Sequence, residues 1–242
     1  VEERTSELVR RGRGRAPKLL AANLDRVFVT VALRKPTATT QLIDRLLVLV
    51  ESSGTPPELV LNKVDLDGAV ELADELAELY ARAGYHVHRV SAETRVGIDA
   101  LHAEMCSGAS AFIGPSGVGK SSLLNVIDPA LQLRTGELSR KTGTGRHTTV
   151  GSRMIALECG GLVADTPGFG DVGLFAVTPE EVGDGFPEFR DLAIEGRFRG
   201  CAHIKEPDCA IRDAVESGSI AVSRYESYRT LRAEAVEADV RH

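Results

Sequence analysis

Residues 114–121 read Gly-Pro-Ser-Gly-Val-Gly-Lys-Ser, an uninterrupted G-x-x-x-x-G-K-S phosphate-binding loop. Gly114, Gly117 and Gly119, with Ser116 and Val118 between them, let the backbone turn its N–H groups toward phosphate oxygens. The helix that must follow adds the partial positive charge of its N-terminus. Lys120 is positioned to reach the β- and γ-phosphates, and the Ser121 hydroxyl, with Ser122 beside it, to ligate Mg²⁺. Upstream, Asn62-Lys63-Val64-Asp65 has the composition of a guanine-reading turn. The Asp65 carboxylate can accept from both N1–H and the 2-amino group of guanine. Adenine offers no such pair and would leave a carboxylate unsatisfied. Asn62 can bond the base edge and brace neighbouring loops, the Lys63 stem can pack on the base plane, and Ser91-Ala92 can present a backbone N–H to the guanine carbonyl.

Downstream lies Asp165-Thr166-Pro167-Gly168. Asp165 is expected to hold Mg²⁺ through water, and the Gly168 N–H to sense the γ-phosphate. In Ras-like GTPases a glutamine follows this glycine and orients the attacking water, but here Phe169 follows, and a phenyl ring cannot do that work. Residues 143–150 (Gly-Thr-Gly-Arg-His-Thr-Thr-Val) lie where a switch loop belongs. Thr148 or Thr149 is the candidate switch threonine on Mg²⁺. His147 is either the group that orients water or a solvent-exposed loop histidine.

These residues need a scaffold that brings them together. Apolar and β-branched runs predict strands at 26–33, 58–61, 85–90, 109–113, 154–158 and 162–164. Helical spacing predicts helices at 41–50, 69–83, 97–103 and 121–127. Alternation of the two indicates an α/β fold, a mostly parallel sheet with helices on both faces. In such sheets ligands sit at the carboxyl ends of strands, which is where every motif above falls. From about residue 178 the pattern changes: Pro179, Pro187 and Pro207 interrupt it, and 223–240 reads as a terminal helix. The organisation expected is a short segment 1–17, a nucleotide-binding domain 18–177 and a small helical appendage 178–242.

The 242 residues are 43% hydrophobic and 26% charged, an ordinary globular composition. No apolar run approaches the roughly 18–20 residues of a membrane span, and the N-terminus is charged from the start, which favours a cytoplasmic setting. The net charge of −6 argues against a uniformly basic nucleic-acid coat. Residues 1–18 nevertheless hold six basic residues (Arg4, Arg10, Arg11, Arg13, Arg15, Lys18) against three acidic ones, which suits either a polyanion contact or a solvated tail. Cys106 and Cys159 stand isolated and read as reduced thiols.

The order of the motifs is rotated relative to ordinary GTPases, with the guanine tetrad before the phosphate loop. That order, together with Leu-Ile-Asp-Arg at 42–45, Gly-Arg-His-Thr-Thr at 145–149, Asp-Thr-Pro-Gly-Phe at 165–169 and Cys-x-His-x₅-Cys at 201–209, resembles the bacterial small-ribosomal-subunit-dependent, circularly permuted GTPases. The resemblance runs from about residue 18 to the C-terminus. It implies a permuted P-loop GTPase, monomeric, binding GTP/GDP and Mg²⁺. Such a protein acts on the immature small ribosomal subunit and its rRNA, with hydrolysis stimulated by the ribosome and release following the GTP-to-GDP change. Family members usually carry an N-terminal OB-fold, the GTPase domain and a C-terminal zinc domain. The chain departs twice from that pattern. Residues 1–17 are too few for an OB barrel and match at most its last strand and linker. Of the four zinc ligands, Cys201, His203 and Cys209 have counterparts, but the fourth position is Gly196. Three ligands imply either a Zn²⁺ with an open position or a metal-free loop held by packing of Phe198 and Ile211. Phe169 also leaves a second reading open: a guanine-nucleotide-dependent RNA- or protein-binding switch with little turnover.

Overall fold

The computed structural model describes residues 6–10, 18–133, 153–165, 177–195 and 201–240. Strands β1 (Glu7–Arg10) and β2 (Lys18–Ala22) form an antiparallel ribbon. The following elements are β3 (Arg26–Ala32), α1 (Thr40–Glu51), β4 (Pro57–Asn62), α2 (Ala69–Arg82), β5 (Val87–Val90), α3 (Ile98–Met105), β6 (Ala109–Ile113), α4 (Lys120–Ile127), β7 (Arg153–Ala156) and β8 (Leu162–Asp165). Six of these strands make one sheet in the order β5-β4-β3-β6-β8-β7, parallel except for β7. The α/β architecture read from the sequence is the one observed.

A parallel sheet covered on both faces needs strands that are apolar on both sides, and β3 (Arg-Val-Phe-Val-Thr-Val-Ala) meets that requirement. Val27, Val29 and Val31 enter a core with Leu59 and Leu61 of β4 and with residues of α1 and α2. Phe28 faces the other way, into a core with Val60 of β4, Ile98, Leu101 and Met105 of α3, and Leu123 and Leu124 of α4. Helix α1 starts where the Thr39 hydroxyl accepts from the Leu42 N–H.

The hairpin β7–β8 turns earlier than expected, because Gly160 N–H donates to Leu157 O and ends β7 at Ala156. The turn lies against the end of α3: a Cβ on Gly161 would sit 1.8 Å from the Met105 carbonyl oxygen. This close approach corrects the reading of two cysteines. Cys106 and Cys159, expected to be isolated reduced thiols, form a disulfide with their Cα atoms 5.3 Å apart. They are separated by 53 residues, so only the packing of the hairpin on α3 reveals the pairing.

The C-terminal helices are α5 (Pro179–Asp184), α6 (Pro187–Glu195), α7 (Ala210–Glu216) and α8 (Val222–Asp239). Thr178 and Glu181 form a reciprocal capping box at the start of α5. These helices pack on α1. Leu46, Leu47 and Val50 of α1 join the sheet core, whereas Val48 and Leu49 join Phe186, Phe189, Ile211, Tyr228 and Leu231.

At this junction lies Arg224, 1% exposed. Its Nη1 donates to Asp44 Oδ1 at 2.5 Å, and its Nε and Nη2 donate to the two carboxylate oxygens of Glu188 at 2.7 and 2.9 Å. Tyr80 donates its hydroxyl to the same Asp44 oxygen at 2.7 Å, and the Phe186 ring lies 4.4 Å under the guanidinium. Burial pushes the Asp44 carboxyl above its usual range, although Arg224 opposes the shift. The next residue, Arg45, makes a two-pronged pair with Glu234 of α8, both bonds 2.7 Å. Removing one partner of a buried pair strands the other charge. Arg224→Ala is therefore expected to lower stability by about 3–5 kcal/mol in urea denaturation. Arg45→Ala, whose pair is partly exposed, should cost at most about 1 kcal/mol. Equal, small losses for both would show that the buried cation does not hold the junction.

Candidate functional site

The parallel strands end on one side of the sheet, and the motif residues are attached there. Asn62 is the last residue of β4, Ser91 follows β5, the phosphate loop follows β6, and Asp165 ends β8. In the sheet, β3 lies between β4 and β6, so the loop after β3 is held between the guanine-type turn and the phosphate loop.

The two motifs are bonded directly. Asn62, 1% exposed, donates from Nδ2 to the Val118 carbonyl at 2.7 Å. The Lys63 ammonium donates to Gly117 O at 2.8 Å and to Lys35 O at 2.5 Å, the latter in the loop after β3. Burial lowers the Lys63 amine from its ordinary value, with Asp65 pulling the other way. Gly119 is required here for two reasons. Its φ is +98°, and a Cβ would come within 2.4 Å of Asn62 Nδ2. Any side chain at 119 would thus displace the Asn62 carboxamide from its place against the phosphate loop.

Asp65 is held in place by Ser91. The Ser91 hydroxyl donates to Asp65 Oδ1 at 2.5 Å and accepts from the Thr94 N–H at 3.0 Å. Of the Ser91-Ala92 pair, expected to present a backbone N–H to the base, the Ser91 N–H goes to Val96 O at 3.0 Å. Ser91 therefore acts on the carboxylate through its side chain, and Ala92 is the member of the pair left to offer an amide.

Lys120 opens α4 and folds its ammonium back onto its own loop, donating to Gly114 O at 2.7 Å and Pro115 O at 2.9 Å. Burial pulls the amine down to about 8. Among the described residues this cation is held by two neutral carbonyls inside a glycine-rich loop, which suits a site built for an anion. Ser121 and Ser122 occupy the first turn of the same helix. Strand β8 runs parallel beside β6, with Ala164 opposite Ala111, so the Asp165 backbone ends next to the start of the loop. Ser121 thus sits at the start of the helix after the loop, and Asp165 ends the strand beside β6. His147, Thr148, Thr149 and Gly168, with Thr166, Pro167 and Phe169, lie outside the described residues.

In the C-terminal helices, the Cys201 and Cys209 sulfurs and a His203 ring nitrogen lie within 4.8 Å of one another. His203 Nδ1 is 3.3 Å from Cys209 Sγ. The loop is pinned by Glu206, whose carboxylate accepts from the N–H groups of Ala202, Ile204 and Lys205, each at 2.9 Å. Together with its own N–H, these bonds hold Glu206 down at about 2. Burial raises Cys201 and lowers His203, so the ring leans toward the neutral form a metal requires. The donor set fits zinc on three corners of a tetrahedron. Gly196 and Phe198 lie outside the described residues.

Three side chains of this region were given no role in the sequence reading. Lys35 carries no chemical signal beyond its place after β3. Asp44 had one, a carboxylate inside the apolar run of α1. Arg224 was hidden in a polar-looking terminal helix.

Comparison with known proteins agrees with this geometry. The family model for the RsgA GTPase matches residues 1–175. The small ribosomal subunit biogenesis GTPase RsgA of Gemmatimonas aurantiaca is 44% identical over 97% of this chain and 76% of its own length. That of Moorella thermoacetica is 48% identical over 89% of this chain and 73% of its own. Among solved structures, YjeQ from Thermotoga maritima superposes with a TM-score of 0.80 at 34% identity, covering 97% of this chain and 77% of that one. YloQ, described as a circularly permuted GTPase, gives 0.77 at 33% identity, covering 98% and 74%. The rotated motif order, the bonded guanine turn and phosphate loop, and these relatives lead to one conclusion: the chain belongs to the RsgA GTPase family and is a GTP-hydrolysing enzyme with a circularly permuted fold.

Proposed function

We propose that this GTPase acts in late maturation of the small ribosomal subunit. Its GTP or GDP state controls binding to and release from the subunit and its rRNA, and the subunit stimulates hydrolysis. The chain works as a monomer in the cytoplasm. The observation that carries the reading is the direct bonding of the guanine-type turn to the phosphate loop through Asn62 and Lys63. It makes base recognition and phosphate binding one rigid unit. The names of the relatives supply the ribosomal setting.

The roles of individual residues follow from their chemistry. Asp65, oriented by Ser91, accepts from guanine N1–H and the 2-amino group, while Asn62, Ala92 and the Lys63 stem complete the base pocket. The N–H groups of Gly114, Ser116, Gly117, Val118, Gly119 and the α4 N-terminus, with Ser122, surround the phosphates. Lys120 leaves the carbonyls of Gly114 and Pro115 for the β- and γ-phosphates. Mg²⁺, held by Ser121 and through water by Asp165, supplies charge neutralisation when bound. In hydrolysis a water oxygen bonds to the γ-phosphorus as the bond to the β–γ bridging oxygen breaks, giving GDP and phosphate. Thr148 or Thr149 and the Gly168 N–H attend the γ-phosphate, and His147 orients the water in place of the side chain that Phe169 cannot provide. Zn²⁺ at Cys201, His203 and Cys209 would brace the C-terminal helices.

Hydrolysis measured alone and with purified small ribosomal subunits is expected to rise strongly with the subunits and to vanish in Lys120→Ala. A slow rate indifferent to subunits would leave a guanine-nucleotide switch with a different partner. Asp65→Asn should erase most of the preference for GTP over ATP in competition binding, and equal competition already in the wild type would remove Asp65 from base reading. The Lys120 amine, at about 8 in the free protein, must be charged to hold phosphate. Affinity for a non-hydrolysable GTP analogue should be level below about pH 7 and fall as pH rises through 8. The loss should be roughly tenfold one unit above the amine's value, with proton uptake on binding. A flat profile to pH 9 would show that Lys120 is already charged in the free site.

A further inference from the structure

We propose that Glu58, His86 and His88 form a binding site for a divalent transition metal of the zinc type, at the end of the sheet opposite the phosphate loop. The parallel register of β4 and β5 pairs Val60 with His88, and alternate residues of a strand share a face. Glu58, His86 and His88 thus come together on one face, and their donor atoms all lie within 4.8 Å. Glu58 Oε2 is 2.6 Å from His88 Nε2 and 3.3 Å from His86 Nδ1. Ligands about 2.0–2.1 Å from a tetrahedral zinc stand about 3.3 Å apart, so one edge of the site has its bound length already.

The surroundings favour a cation. Arg26 donates to Glu58 Oε1 at 3.0 Å, which orients the carboxylate and leaves Oε2 facing the two rings. The same guanidinium nitrogen reaches Glu104 Oε2 at 2.5 Å, so two carboxylates face one fixed cation. His88 is buried edge-on against Phe28, which fixes its ring, while His86 is 57% exposed and leaves the site open to solvent. Two imidazole nitrogens and one carboxylate oxygen suit zinc and its neighbours rather than Mg²⁺ or Ca²⁺. A bound ion would fasten the four-residue edge strand β5 to β4, and the far end of β5 leads to Ser91, which orients Asp65.

Zinc uptake by the full chain, metered against a chromophoric chelator, tests this. The wild type is expected to take up one equivalent more than His86→Ala, whose exposed side chain can be removed without disturbing the core. Cys201→Ser should likewise take up one equivalent more than the Cys201→Ser, His86→Ala double variant, and added Zn²⁺ should raise the melting temperature of wild type more than that of His86→Ala. Equal uptake by wild type and His86→Ala, or by Cys201→Ser and the double variant, would overturn the assignment.

Discussion

The Asn62 carboxamide donates to the Val118 carbonyl at 2.7 Å, and the nucleotide site is arranged around that bond. It spans two strands that are not neighbours in the sheet, because β3 runs between them. The bond closes only if all three strands end at the same level and the phosphate loop leans toward β4. Gly119 makes the lean achievable by having no Cβ. Lys63 repeats the connection one residue later and adds the loop after β3 through Lys35. None of these contacts depends on the order in which the chain visits the strands. This is the physical reason a rotated motif order is tolerated: a parallel sheet sets which strand ends meet, while the connections run behind.

Much of this was legible in the residues. Short apolar strands alternating with amphipathic helices specify a covered parallel sheet, and the motifs mark its carboxyl edge. Strand β6, at 109–113, appears with the bounds its pattern implies, because Gly108 and the glycine-rich loop delimit it sharply. What periodicity could not reveal was contact across long sequence separations. The Cys106–Cys159 bond depends on a hairpin turn seated against the end of α3. The Ser91 hydroxyl on Asp65 depends on where two separate strand ends come to rest. The sequence offers a backbone N–H from the Ser91-Ala92 pair, and the fold uses the Ser91 amide locally and turns the Ser91 side chain to the carboxylate.

The C-terminal helices follow a different logic. Their polar residues are not all surface. Arg224 is buried among aromatic rings and acidic partners from α1 and α6. Glu206, by contrast, spends its carboxylate on backbone amides of the loop that carries Cys201 and His203. A loop so pinned presents its thiols and imidazole at fixed separations before any metal arrives, which lowers the ordering cost of binding.

Helix α1 has no solvent-facing apolar stripe to spare, because two different cores use opposite sides of it. The sheet and the C-terminal helices consequently share a wall, α1. Loss of the appendage would leave Val48 and Leu49 facing water and the Asp44 carboxylate without its cation, and damage to the sheet would remove the surface on which Arg224 is seated. Two regions that look separable along the chain should therefore melt in a single transition, and movement communicated between them has to travel as displacement of α1 as a whole.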